Sequence, residues 1–108
     1  MGITIAVYGN ISEDVVRLIN HRYKIEKVVY GGITSSDVIN WALKNHVSLI
    51  TYPCDHHKHK DKAVFVQHFK ILRDASPDLI LIKVGSGLVG DYLESIAKDM
   101  NLKVLVVK

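Results

Sequence analysis

Apolar residues along this chain switch repeatedly between two spacings. Ile3-Thr4-Ile5-Ala6-Val7-Tyr8 is a nearly unbroken apolar run, the pattern of a strand buried on both faces. After Gly9-Asn10 the period changes, and Val15, Leu18 and Ile19 at i, i+3 and i+4 predict one apolar stripe on a helix. Ser12 stands at the N-cap of that helix, and Glu13 and Asp14 complement its dipole in the first turn. Ile25 to Tyr30 reads as the second strand. Ser35 or Ser36 caps a second helix, whose Val38, Ile39, Ala42 and Leu43 share a face. Val47 to Tyr52, ended by Pro53, is a third strand, and Cys54 to Asp61 is a polar loop. A third helix runs from about Lys62 to Asp74, with the spacing of Phe65, Phe69 and Leu72 turning them to the core. Leu79 to Val84 is the fourth strand. Leu93, Ile96, Ala97 and Met100 mark a fourth helix, closed by Asn101 as a left-handed cap, and Val104 to Val107 is a fifth strand.

Strict alternation of strands and helices predicts one Rossmann-like α/β domain over residues 1–108. It is a three-layer α/β/α sandwich around a five-stranded parallel sheet with right-handed crossovers. Strand orders 3-2-1-4-5 and 2-1-3-4-5 are the two common solutions. The first is preferred, because its switch point between strands 1 and 4 brings Gly9-Asn10 beside Gly85-Ser86-Gly87.

Three of the predicted strands run into glycine where a helix should begin, at Tyr8-Gly9-Asn10, Tyr30-Gly31-Gly32 and Val84-Gly85-Ser86-Gly87. In a parallel sheet these turns share the carboxyl edge of the strands. Glycine there lets the backbone approach a ligand, and the following helix N-termini offer N–H groups to an anion. Gly85 to Gly90 reads G-x-G-x-x-G between a strand and a helix, the context of a dinucleotide fingerprint. The acidic residue that should follow about 20 positions on has no counterpart in Val107-Lys108, so a dinucleotide is rejected. A flexible turn and a backbone anion cradle both remain open. In Gly31-Gly32-Ile33-Thr34-Ser35-Ser36-Asp37, hydroxyls and N–H groups suit a phosphate or ribose, and Asp37 can accept from a sugar hydroxyl. Ser36 and Asp37 suit helix capping equally well.

Charge and composition narrow the function classes. The net charge of +3 is only mildly basic, where nucleic-acid domains usually show a denser basic stripe, although Lys58, Lys60, Lys62, His68, Lys70 and Arg73 set a basic flank along the third helix. That flank reads first as a solvated face. A single cysteine excludes an internal disulfide and fits a reducing, cytoplasmic setting, and no signal peptide or membrane span is expected. Cys54, His56, His57 and His59 are the candidate metal ligands. They show neither C-x-x-C nor H-x-x-x-H spacing, lysines interrupt them, and a polar loop is the plainer reading; no metal or cofactor is expected. Trp41 reads as a packing or dimer-contact residue.

The glycine runs also carry a family resemblance. Gly31, Gly32 and Asp37 match a Gly-Gly-Ala-Arg-Gly-Ala-Asp signature, so the chain resembles the small YspA-type Rossmannoid domains. These belong to the SLOG superfamily, with the DprA/Smf proteins and the Lonely-Guy-type phosphoribohydrolases. Tyr8-Gly9-Asn10, Trp41-Ala42, Tyr52-Pro53-Cys54-Asp55, Lys62-Ala63 and Asp78 resemble further family elements, and the similarity spans nearly the whole chain. Where the family carries arginine this chain has Ile11, Thr34 and Gln67, and His68 replaces an asparagine. Three bidentate phosphate grips are therefore missing, which implies weaker binding or a less charged ligand.

The resemblance and the turns together lead to a binding module for a nucleotide or nucleotide-derived small molecule. Its pocket would comprise Gly9, Asn10, Gly31, Gly32, Ser35, Ser36, Asp37, Gly85, Ser86 and Gly87. One alternative is a Lonely-Guy-type nucleotide N-glycosidase or hydrolase using Asp91 or Glu94, although its Pro-Gly-Gly-x-Gly-Thr-x-x-Glu motif is broken here. Another is a nucleic-acid or protein interaction module with a vestigial pocket. A homodimer through an exposed helix pair is the expectation for self-association.

Overall fold

A computed structural model describes residues 2–52, 67, 69–85 and 87–108. In chain order its elements are β1 (Ile3–Gly9), α1 (Glu13–Tyr23), β2 (Ile25–Thr34), α2 (Ser36–Lys44) and β3 (Ser48–Thr51). A π-helical segment (Ile71–Ala75), β4 (Leu79–Lys83), α3 (Gly87–Asp99) and β5 (Val104–Val107) follow. The five strands form one all-parallel sheet in the order β3-β2-β1-β4-β5, as the sequence predicts. β1 is central and pairs with β2 on one side and β4 on the other.

The inner strands β1, β2 and β4 bury residues on both faces because helices cover both. Ile5, Val7, Val28 and Leu81 pack against Val16 of α1 and against Val38, Trp41 and Ala42 of α2. The alternate residues Ala6, Tyr8, Val29, Ile80 and Ile82 pack against Ile71 and Leu72 of the π-helical segment and Leu93 and Ala97 of α3. Trp41 is thus a core residue. At the amino edge, Thr4 and Asp78 fasten β1 to β4: the Thr4 N–H donates to Asp78 Oδ2 at 2.9 Å, and the Asp78 N–H donates to the Thr4 carbonyl at 2.8 Å.

Several predicted details change. β2 continues through Gly31 and Gly32 to Thr34 instead of ending at Tyr30. Val7 pairs with Tyr30 and Gly9 with Thr34, so β2 advances four residues while β1 advances two, and the glycine pair is a bulge inside the strand. Leu18 is 73% exposed, since Val15, Val16 and Ile19 form the inner stripe of α1. Leu43 is 63% exposed, since Val38, Trp41 and Ala42 fill that role on α2. Of the predicted third helix, residues 62–66 and 68 lie outside the described residues. Gln67, Phe69 and Lys70 are helical, and Ile71–Ala75 winds with the wider i to i+5 closure. That winding buries Ile71 and Leu72 and leaves Phe69 at the surface, with the Arg73 guanidinium 5.8 Å from its ring centre. Asn101 adopts the expected left-handed conformation at φ 60°.

Candidate functional site

The order β3-β2-β1-β4-β5 sets the crossovers through α1 and α2 on one sheet face and those through the π-helical segment and α3 on the other. The two sets diverge between β1 and β4, and in open α/β sheets the ligand crevice usually lies at the carboxyl edge of such a switch point. Gly9 closes β1 with φ 95°, and Gly85 follows β4 with φ 79°. Both lie in the left-handed region, where a side chain is strained, so the backbone path of the crevice depends on glycine at these positions. A Cβ at Gly85 or Gly87 would meet nothing within 4 Å, so the space over the α3 entry is open. Asn10 is exposed directly beyond Gly9.

Gly31 lies against Gln67: a Cβ at position 31 would fall 2.7 Å from both Cδ and Oε1 of that side chain. Gln67 is itself buried, 4% exposed, and its Nε2 donates to the Tyr52 carbonyl at 2.6 Å. The glycine therefore makes room for an amide that closes the carboxyl end of β3 over β2. No sequence spacing signals this contact, because it joins residues from separate elements.

Ser35 is the N-cap of α2 and is buried. Its hydroxyl donates to the Ile11 carbonyl and accepts from the Val38 N–H at 3.4 Å, tying the turn after β1 to the turn after β2. Ser36 and Asp37 are exposed in the first turn of α2. Ser12 occupies the N-cap position of α1, but its side chain makes no capping bond. Thr34 Oγ1 is buried without a hydrogen-bond partner among the described residues. Burial raises the Tyr8 phenol above the ordinary tyrosine pKa at the end of β1.

Asp91 and Glu94 lie on α3, next to the turn that follows β4. They line a cleft of about 180 Å³ with Lys83, Gly85, Gly90 and Val106, on the β5 side of α3. That is below the roughly 300 Å³ at which small-molecule pockets begin. Glu94 also lies 3.9 Å from the Lys98 ammonium. Ser86, Cys54, His56, His57, His59, Lys58, Lys60, Lys62 and His68 lie outside the described residues. Among the described residues no cluster of metal-ligating side chains forms, and no helix is long and apolar enough to cross a membrane.

Neither a family model nor a curated protein matches the chain.

Proposed function

We propose that this protein is a small Rossmann-like binding module that holds a nucleotide or nucleotide-derived ligand at the carboxyl edge of its sheet. The observation that carries this reading is the pair of left-handed glycines, Gly9 and Gly85, on the two sides of the β1–β4 switch point. A ligand in that crevice meets backbone N–H groups and the amino end of α3, which together favour a phosphate or another anion. Asp37, exposed in the first turn of α2, is available to accept a hydrogen bond from a sugar hydroxyl. Thr34, Gln67 and Ile11 contribute no cationic grip, so the reading favours a modest affinity sustained by main-chain donors.

The test is amide chemical-shift mapping with nucleoside mono-, di- and triphosphates at millimolar concentration. Saturable shifts centred on Gly9, Asn10, Gly85 and Gly87, with Asp78 and Lys24 at the opposite edge unmoved, are the expected result. No shifts with any of these compounds, or shifts confined to the amino edge, would refute the proposal.

A further inference from the structure

β5 is an edge strand, and its composition and hydrogen-bond parity make it complementary to itself. The Ile80 N–H donates to the Lys103 carbonyl at 2.9 Å, and the Val84 N–H donates to the Val107 carbonyl at 2.7 Å. Strand groups alternate sides, so Lys103, Leu105 and Val107 address β4, while the N–H and C=O groups of Val104 and Val106 address the free edge. Among the described residues no strand pairs with that edge. Leu105 and Val106 project to opposite sheet faces and are 43% and 42% exposed. An unpaired apolar edge of this kind invites another strand.

We propose that β5 pairs antiparallel with β5 of a second copy, about a two-fold axis through Leu105, joining two five-stranded sheets into one. Residues directly opposite each other in an antiparallel pair must point to the same face, so the axis must pass through a residue and not between two. With the axis at Leu105, Val104 and Val106 lie opposite the partner's Val106 and the partner's Val104. Those are the residues whose main-chain groups face outward, and they form the hydrogen-bonded pairs. Leu105 meets the partner's Leu105 in a non-hydrogen-bonded pair, where side chains come closest. Lys103 falls opposite the partner's Val107, so no lysines confront each other.

The helix above β5 carries a second complementary feature. Asp91, Glu94 and Lys98 at i, i+3 and i+7 share one face of α3. The face is the one toward β5, since Asp91 and Glu94 share a cleft with Val106 and Lys98 lies beside Glu94. The row is acidic at the helix start and basic toward its end. A two-fold axis inverts it, so the acids of one copy face the partner's Lys98. An apolar strand with matched parity and a bipolar helix flank favours a second copy of this chain over an unrelated strand. Such an interface is isologous and closes as a dimer.

The test is sedimentation equilibrium across micromolar to millimolar concentration, with circular dichroism to verify folding. A monomer–dimer equilibrium is expected. Val106→Pro removes an outward N–H that β4 does not use, a site where an edge strand accepts proline, and should give a folded monomer. Leu105→Lys places like charges on the axis and should do the same. Lys98→Glu sets an acid against the partner's acids and should weaken the dimer, and adding Asp91→Lys and Glu94→Lys should restore it by inverting the row. Hydrogen exchange of the unmodified protein needs no variant: protection of the Val104 and Val106 amides should rise with protein concentration. A monomer at every concentration, a dimer indifferent to Val106→Pro and Leu105→Lys, or edge amides whose exchange ignores concentration would each overturn the proposal.

Discussion

Single side chains decide how the carboxyl edge is held. The Ser35 hydroxyl both caps α2 and grips the Ile11 carbonyl from a buried position, so Ser35→Ala leaves polar groups unpaired. It should lower unfolding free energy by about 1–3 kcal/mol in urea denaturation, the combined scale of a lost cap and an orphaned carbonyl. Gly31→Ala forces the buried Gln67 side chain aside and should cost about 1–3 kcal/mol, the range for overpacking. In a Gln67→Ala background that penalty should shrink, and a double-mutant cycle measures the coupling. Tyr8 sets a pH limit. Its burial raises the folded-state pKa, so the unfolded chain ionises first as pH climbs. Stability is therefore full below about pH 10 and falls as pH rises from there through the higher folded value. Thermal melts between pH 9 and 11 should show a smaller alkaline decline for Tyr8→Phe. The sequence made Gly31, Ser35 and Asp37 visible as one motif. It did not separate their tasks, because a glycine admitting a distant side chain and one shaping a turn look alike in a string.

Elements were legible where periodicity was strong. The unbroken apolar runs Ile3–Tyr8 and Leu79–Val84 could only be strands buried on both sides, and the glycine turns fixed which of them are neighbours. Helix faces were less legible. On α1, residues 15, 18 and 19 and residues 15, 16 and 19 are both helical stripes, and the seat of the helix on the twisted sheet selected the second. The extent of β2 was hidden because a bulge lets a strand continue through glycines that otherwise read as a stop. Helix ends offer a cleaner prediction. Below α2, the Val47 N–H bonds the Ala42 carbonyl and the His46 N–H the Leu43 carbonyl, with His46 left-handed at φ 55°. This is a Schellman closure with histidine where glycine fits best. His46→Gly should raise the unfolding free energy by about 0.5–1 kcal/mol, read as a shift in denaturation midpoint at unchanged slope.

Across the whole molecule, protection should follow position in the sheet. β1 pairs on both sides and both its faces are covered, so amides of Ile5 to Tyr8 should exchange slowest in native-state hydrogen exchange. The edge strand β3, short and largely exposed, should exchange much faster. The same centrality bears on the chain as it is made. Thr4 and Asp78 bond each other twice across a sequence separation of 74 residues. At roughly 5–20 residues per second, β1 leaves the synthesis machinery about 4–15 s before its β4 partner exists. Through that interval the strand destined for the centre of the sheet has one bare edge. The newborn chain thus carries its greatest hazard of mispairing at its beginning, and slowing translation between β3 and β4 would lengthen that exposure without altering a residue.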